Sequence, residues 1–200
     1  MTTRAIAAAL AALFGFAGFA RADFVPEVVG QVATLPEPRP HWVFVSDLLL
    51  RRAALVDTDS GEFLGMLSSN VGPIAPLVDP ASGAIYLPET YYSRGSRGTR
   101  TDLLTVYDPK TLAPTGEVVI PPKRADVVHG AGMAALLGDG RFAAVFNLTP
   151  ATSVSVIDTR ERRFAGEIEA AGCGLVYAAG DRRVAMLCAD GTLLLITLDE

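Results

Sequence analysis

Three carboxylates recur through the chain at a spacing that invites a chemical reading. Asp57, Asp108 and Asp158 each end an apolar run (Ala54-Leu55-Val56, Thr105-Val106-Tyr107 and Ser155-Val156-Ile157) and follow one another at intervals of 51 and 50 residues. A carboxylate can move protons, ligate a metal, or close a turn by accepting the amide protons of the residues just after it. Recurrence in step with a chain-wide repeat favours the turn. The other reactive residue types form no constellation. His41 and His129, the only histidines, are far apart and outside any metal-ligand spacing. Ser60-Gly61 and Ser82-Gly83 lack the G-x-S-x-G setting of a nucleophilic serine. No glycine-rich phosphate loop is present. Arg94, Arg97 and Arg100 make the densest basic patch, too sparse for a groove that tracks a nucleic-acid backbone in a chain of net charge −5. They are expected in a solvated loop, flanked by Glu89 and Asp102, which can pair with them.

The elements that must position these groups read as β-hairpins. Each aspartate is followed by turn-forming residues and, eight positions on, by a glycine (Gly65, Gly116, Gly166) that opens a partner strand. Further hairpins fall between the copies: 74–78 with 84–87 around Asp79-Pro80-Ala81-Ser82-Gly83, and 132–137 with 142–146 around Gly138-Asp139-Gly140-Arg141. A fourth unit runs through Leu175-Val176-Tyr177, Val184 to Cys188, and Leu193 to Ile196. A repeat of about 50 residues carrying four short strands is the period of β-propeller blades. The fold class is therefore all-β, with about four blade units over residues 41–200.

The N-terminus carries a targeting pattern. Arg4 precedes an apolar stretch from Ala5 to Ala20, and Ala20-Arg21-Ala22 has the small-x-small form of a signal-peptidase site, which predicts a signal peptide over 1–22 and cleavage before Asp23. Residues 23–40 hold Pro26, Pro36, Pro38 and Pro40 and are expected as an extended leader. No later run reaches the ~20 apolar residues of a membrane span. The expectation is an exported protein that engages neither membrane nor nucleic acid. In an oxidising compartment Cys173 and Cys188, 15 residues apart and without C-x-x-C spacing, are expected to be bridged.

The block Thr90-Tyr91-Tyr92-Ser93-Arg94-Gly95-Ser96-Arg97-Gly98-Thr99-Arg100-Thr101-Asp102, read on through Val106-Tyr107-Asp108-Pro109-Lys110-Thr111-Leu112-Ala113-Pro114-Thr115, resembles the heavy chain of the quinoprotein amine dehydrogenases. In that family an R-G-x-R-[ST]-D block precedes a strand ending in aspartate. The likeness continues through Ile120-Pro121-Pro122-Lys123-Arg124, Thr149-Pro150-Ala151-Thr152-Ser153, Ala171-Gly172-Cys173 and Cys188-Ala189-Asp190-Gly191. It covers the chain from about Trp42 onward, and several segments look closer to the aromatic amine type than to the methylamine type.

The resemblance implies a seven-bladed propeller in the periplasm, the large subunit of an assembly of two heavy and two light chains. In that family the light chain carries tryptophan tryptophylquinone, oxidises a primary amine to aldehyde and ammonia, and passes electrons to a blue copper protein. That cofactor is built from two tryptophans of one chain, and Trp42 is the only tryptophan here, so no cofactor is expected in this chain. Two departures stand out. The family's heavy chains are roughly twice as long. Where the family shows Gly-Gly-Phe, with the ring near the substrate entrance, this chain reads Ser69-Asn70-Val71, which makes Val71 a candidate substrate-channel position. The alternative is a stand-alone periplasmic propeller that binds a partner without a redox role.

Overall fold

The structure, a computed structural model, describes residues 33–47, 49–71, 75–126 and 130–199. The signal peptide, the leader up to Val32, Ile74 and His129 lie outside the described residues. Among those described, every regular element is a β-strand: β1 Trp42–Asp47, β2 Arg52–Asp57, β3 Phe63–Ser68, β4 Leu77–Val78, β5 Ile85–Arg94, β6 Arg97–Tyr107, β7 Pro114–Ile120, β8 Ala134–Leu136, β9 Phe142–Asn147, β10 Ser153–Asp158, β11 Arg163–Glu169, β12 Cys173–Ala178, β13 Arg183–Cys188 and β14 Leu193–Thr197. They form four antiparallel sheets of consecutive strands, in the orders β1-β2-β3, β4-β5-β6-β7, β8-β9-β10-β11 and β12-β13-β14. Each sheet is a propeller blade, because each strand pairs only with its neighbours in sequence and the next sheet starts afresh.

The repeating aspartates close the turn between the last two strands of a blade. Asp57 Oδ1 accepts the amides of Asp59 and Ser60, Asp108 Oδ1 those of Lys110 and Thr111, and Asp158 Oδ1 those of Arg160 and Glu161. Just before each aspartate the outer pairing slips by one residue, at Leu55/Val56, Val106/Tyr107 and Val156/Ile157. Such a bulge sharpens the local twist and turns the outer edge away from foreign strands.

Three apolar clusters join the blades. The first packs Ala53 and Leu67 against Ile85, Leu87 and Tyr107. The second packs Tyr86, Leu104, Val106 and Val118 against Ala143, Val145 and Ile157. The third packs Phe142, Ala144, Phe146, Val154 and Val156 against Val176, Val184 and Met186. Each lies between two successive sheets, so the core is a series of seams.

The glycines eight residues after the first two aspartates have a seam function, whereas a Cβ on Gly166 would meet nothing within 4 Å. A Cβ on Gly65 would lie 2.5 Å from Leu112 Cδ1, and one on Gly116 would lie 2.9 Å from Arg162 Nη1. Leu112 and Arg162 occupy equivalent places, four residues after Asp108 and Asp158, with φ of 54° and 49°. The left-handed backbone at the turn of one blade thus aims a side chain into the notch left by the glycine of the blade before it.

Two expectations need correction here. Residues 90–102 are no loop: β5 and β6 continue as a paired ladder from Tyr107 to Arg97, and the turn is confined to Gly95-Ser96. The hairpin stands well beyond its blade, and glycine and arginine content disguised it because exposed strand needs no apolar alternation. The first blade also has a strand, β1, that the hairpin pattern did not reveal. Of the leader, residues 33–40 form neither helix nor strand and rest on the second blade. The Leu35 amide donates to the Lys110 carbonyl at 2.7 Å, and Lys110 pairs with Glu37 at 2.5 Å.

Candidate functional site: a buried charge cluster on the blade rim

The aspartate turns all lie at one end of the blades. Val71, the extended hairpin, residues 121–126 and the cysteines lie at the other. At that second end Asp102, fully buried on β6, is saturated with donors. Its Oδ1 accepts from Thr90 Oγ1 at 2.9 Å and Arg100 Nε at 2.8 Å. Its Oδ2 accepts from Arg100 Nη2 at 2.9 Å and the Arg124 backbone amide at 2.8 Å. The alternation of β5 and β6 brings Thr90, Arg100 and Asp102 to one face, since Thr90 and Asp102 are directly opposed across the ladder.

Arg124, also buried, donates from Nε to Thr90 Oγ1 at 3.0 Å and from Nη2 to the Val71 carbonyl at 3.4 Å. Burial pulls its guanidinium below the usual arginine value, against the opposing pull of Asp102 and Asp126. For Arg100, burial acts in the same sense, but the hydrogen bonds and charge of Asp102 outweigh it and hold the group above its ordinary value. Arg100 Nη1 lies 3.6 Å from Asp126 Oδ2, so the cluster pairs two cations with two carboxylates. Val71 sits half-buried over this neutral, fully bonded group.

On the opposite face of β5, toward the first blade, Glu89 is buried and accepts from hydroxyls: Tyr91 Oη at 2.8 Å, Tyr107 Oη at 3.3 Å, and Thr105 Oγ1. Burial, and then the neighbouring Glu89, raise both phenols well above the normal tyrosine value, so they stay protonated donors. The expected pairing of Glu89 with the arginines is thereby corrected. Strand alternation puts Glu89 on one side of the sheet and Thr90 and Asp102 on the other, and only Asp102 meets an arginine.

The remaining sequence candidates are structural. Cys173 and Cys188 are directly opposite across β12 and β13 and form a disulfide. They border an open groove of about 550 Å³ with Glu169, Asp190 and Leu193. His41 Nδ1 contacts Asp59 at 2.7 Å on the exposed turn face. The indole N–H of Trp42 donates to Asp57 Oδ2 at 3.1 Å, which ties the chain's single tryptophan to a turn aspartate. Arg94 and Arg97 flank the hairpin tip, open to solvent. Among the described residues no group of three or more His, Cys, Asp or Glu is placed to hold a metal.

Sequence reasoning gave no role to Arg124, Asn147 or Lys123. Asn147, buried, donates to Ser153 Oγ and Ser155 Oγ at 3.0 and 2.9 Å. Lys123 Nζ reaches Glu167 at 2.8 Å, and Ser153 Oγ donates to the same carboxylate at 2.7 Å. Together they fasten the segment after β7 to the third blade. A basic residue after Pro121-Pro122 reads as solvated loop, and only the converging blades bury it.

The geometry describes a rigid wall. The Asp102 carboxylate has its acceptor sites filled, the cations are matched, and no nucleophile stands beside a free base in the cluster, so the arrangement positions a surface.

The comparisons with known proteins agree with that architecture. Residues 46–200 match the family model described as methylamine dehydrogenase heavy chain (MADH). The methylamine dehydrogenase heavy chain of Paracoccus versutus is 26% identical over 163 residues, covering 79% of this chain and 38% of that protein. The one from Methylophilus methylotrophus is 25% identical over 207 residues, covering 96% and 51%. The chain thus spans about half or less of the length of these relatives. Among solved structures, dihydro-heme d1 dehydrogenase NirN in complex with DHE superposes with a TM-score of 0.52 at 17% identity, over 88% of this chain and 40% of that one, a likeness of fold. With a matching family model over most of its length and blades of the corresponding kind, the chain belongs to the methylamine dehydrogenase heavy chain family.

Proposed function

We propose that this chain serves as a heavy subunit of a periplasmic amine dehydrogenase, holding a light chain that oxidises primary amines to aldehyde and ammonia. The observation that carries the reading is the family match over residues 46–200. The rim supports it, because a surface that holds a catalytic partner needs fixed charges and bonded polar groups, as Asp102, Arg100 and Arg124 provide. The tryptophylquinone belongs to the partner: its two tryptophans do not exist here, and Trp42 is engaged with Asp57. A blue copper protein would take the electrons from that light chain. Val71 would line part of the substrate entrance, where a valine leaves more room than an aromatic ring. The sequence blocks nearer the aromatic amine type make aromatic amines the proposed substrates.

The test is co-expression with a cysteine-rich light chain of the family and its maturation factors, and purification on a tag carried by this chain. Co-elution of the light chain in equal amount supports the reading, and elution of this chain alone overturns it. In the co-eluted complex, faster dye reduction with phenylethylamine than with methylamine would support the aromatic preference. The second reading, a stand-alone propeller that binds a partner without redox chemistry, is favoured by Val71 at the place of the family's aromatic ring and predicts elution without the light chain.

A further inference from the structure

The ribbon that β5 and β6 form beyond their blade does no packing for the core. β7 follows β6 only as far as Asp102, and β4 meets β5 only at Ile85 and Tyr86, so past Thr90 and Asp102 no third strand runs beside the pair among the described residues. Residues 93–99 are all exposed. A two-stranded ribbon is marginal in water by itself. This one is held at both ends. At its base Arg100 grips Asp102 through two nitrogens, and Tyr91 donates to Glu89. Near its tip the Thr99 amide donates to Ser93 Oγ at 3.1 Å, and Asn70 Nδ2 donates to the Gly95 carbonyl at 3.3 Å. Gly98, with φ of 105°, lets the returning strand pass close to Ser93, whose Oγ a Cβ at that position would strike.

What this rigid arm carries to its end is charge. Arg94 and Arg97 are directly opposed in the ladder, and opposed residues share a face. Like charges so placed repel each other. Neither side chain makes a hydrogen bond or an ion pair among the described residues. The carboxylates at the foot of the arm are engaged elsewhere: Asp102 and Asp126 face Arg100, and Glu89 accepts from hydroxyls. Two unpaired guanidiniums side by side do nothing for the fold, and an anion placed between them relieves their repulsion.

We propose that the Arg94–Arg97 tip is a docking arm for a carboxylate-bearing surface of the light chain, which it guides onto the Val71 end of the blades. The inference rests on the proposed function and deepens it by naming the contact. The second blade has a sheet on either side, so the exposure of its arm is a property of the arm. Small molecules bind in concave sites, whereas a convex tip fits matching charges on a larger surface. Protein carboxylates are that match, because guanidinium forks hold them through two parallel hydrogen bonds. The tip is tied to Asn70, the neighbour of Val71, so a light chain that covers the entrance meets the arm. Pre-organisation lowers the cost of ordering the contact, and a charge at the rim of an interface acts mainly on the association rate and its salt dependence.

The test is the association rate of a matured light chain of the family with the full chain, immobilised by a tag, at low and at high salt. At low salt Arg94→Glu/Arg97→Glu should associate about tenfold more slowly than the parent, with the gap closing at high salt. Arg94→Lys/Arg97→Lys should stay near the parent. Arg160→Glu/Arg163→Glu, the same change of charge at the aspartate-turn end, should also stay near it. Equal rates for the parent and Arg94→Glu/Arg97→Glu, a loss that persists at high salt, or an equal loss in Arg160→Glu/Arg163→Glu overturns the docking arm and leaves the proposed function standing. A parent that does not bind the light chain overturns both. Should Arg94→Glu/Arg97→Glu lose its strand signal in circular dichroism, Arg94→Gln/Arg97→Gln carries the same comparison.

Discussion

At the residue scale, the most consequential group is Asp102, a buried carboxylate that four donors saturate. Asparagine in its place would keep the shape but would turn one acceptor into a donor aimed at Arg100 or the Arg124 amide. Leaving one member of a buried ion pair uncompensated costs about 3 kcal/mol. Asp102→Asn should therefore lower the urea midpoint clearly, while Asp79→Asn, at an exposed turn, should move it little. Equal midpoints for the two variants would show that the cluster is no anchor. The recurring aspartates were legible in the sequence because turn closure is local: acceptor and donors lie within three residues of each other. Arg124 was not, since its burial comes from Thr90 and Val71, 34 and 53 residues away.

At the scale of elements, blades are fastened by side chains that cross seams. Glu167 on β11 is held below the usual glutamate value, first by the hydrogen bond from Lys123 and then by that from Ser153. A carboxyl with a folded pKa depressed in this way stabilises fully above its unfolded value, here 4.5, and loses that contribution as pH falls through the folded one. Melting temperatures between about pH 5 and pH 3 should consequently fall more steeply for the parent than for Glu167→Gln. Parallel curves would remove the Lys123–Glu167 tie from the account. The disulfide offers a second check. Closing a loop of 15 residues contributes about 3 kcal/mol on the chain-entropy model, so Cys173→Ser/Cys188→Ser should unfold at distinctly lower denaturant. An unchanged midpoint would mean that the last blade is held by its apolar seam alone. Blade order and period were readable because turns and strand alternation are short-range patterns. The extended hairpin was not, because residues 93–99 at its tip face water on both sides and carry no alternation.

At the scale of the whole molecule, the chain is a series of like sheets joined by apolar seams, the first two of which also carry a side chain set against a glycine, Leu112 at Gly65 and Arg162 at Gly116. Periodicity made this architecture visible in the sequence, and the ordered blocks pointed to the family whose model matches residues 46–200. The proposed role is to support amine oxidation performed on another polypeptide. The most direct measurement is amine-dependent reduction of a redox dye by this chain alone, by the matured light chain alone, and by the two together. That role predicts no reduction by this chain alone and a rate for the pair well above that of the light chain alone. Dye reduction by the isolated chain, or a rate for the pair no greater than for the light chain alone, would contradict it.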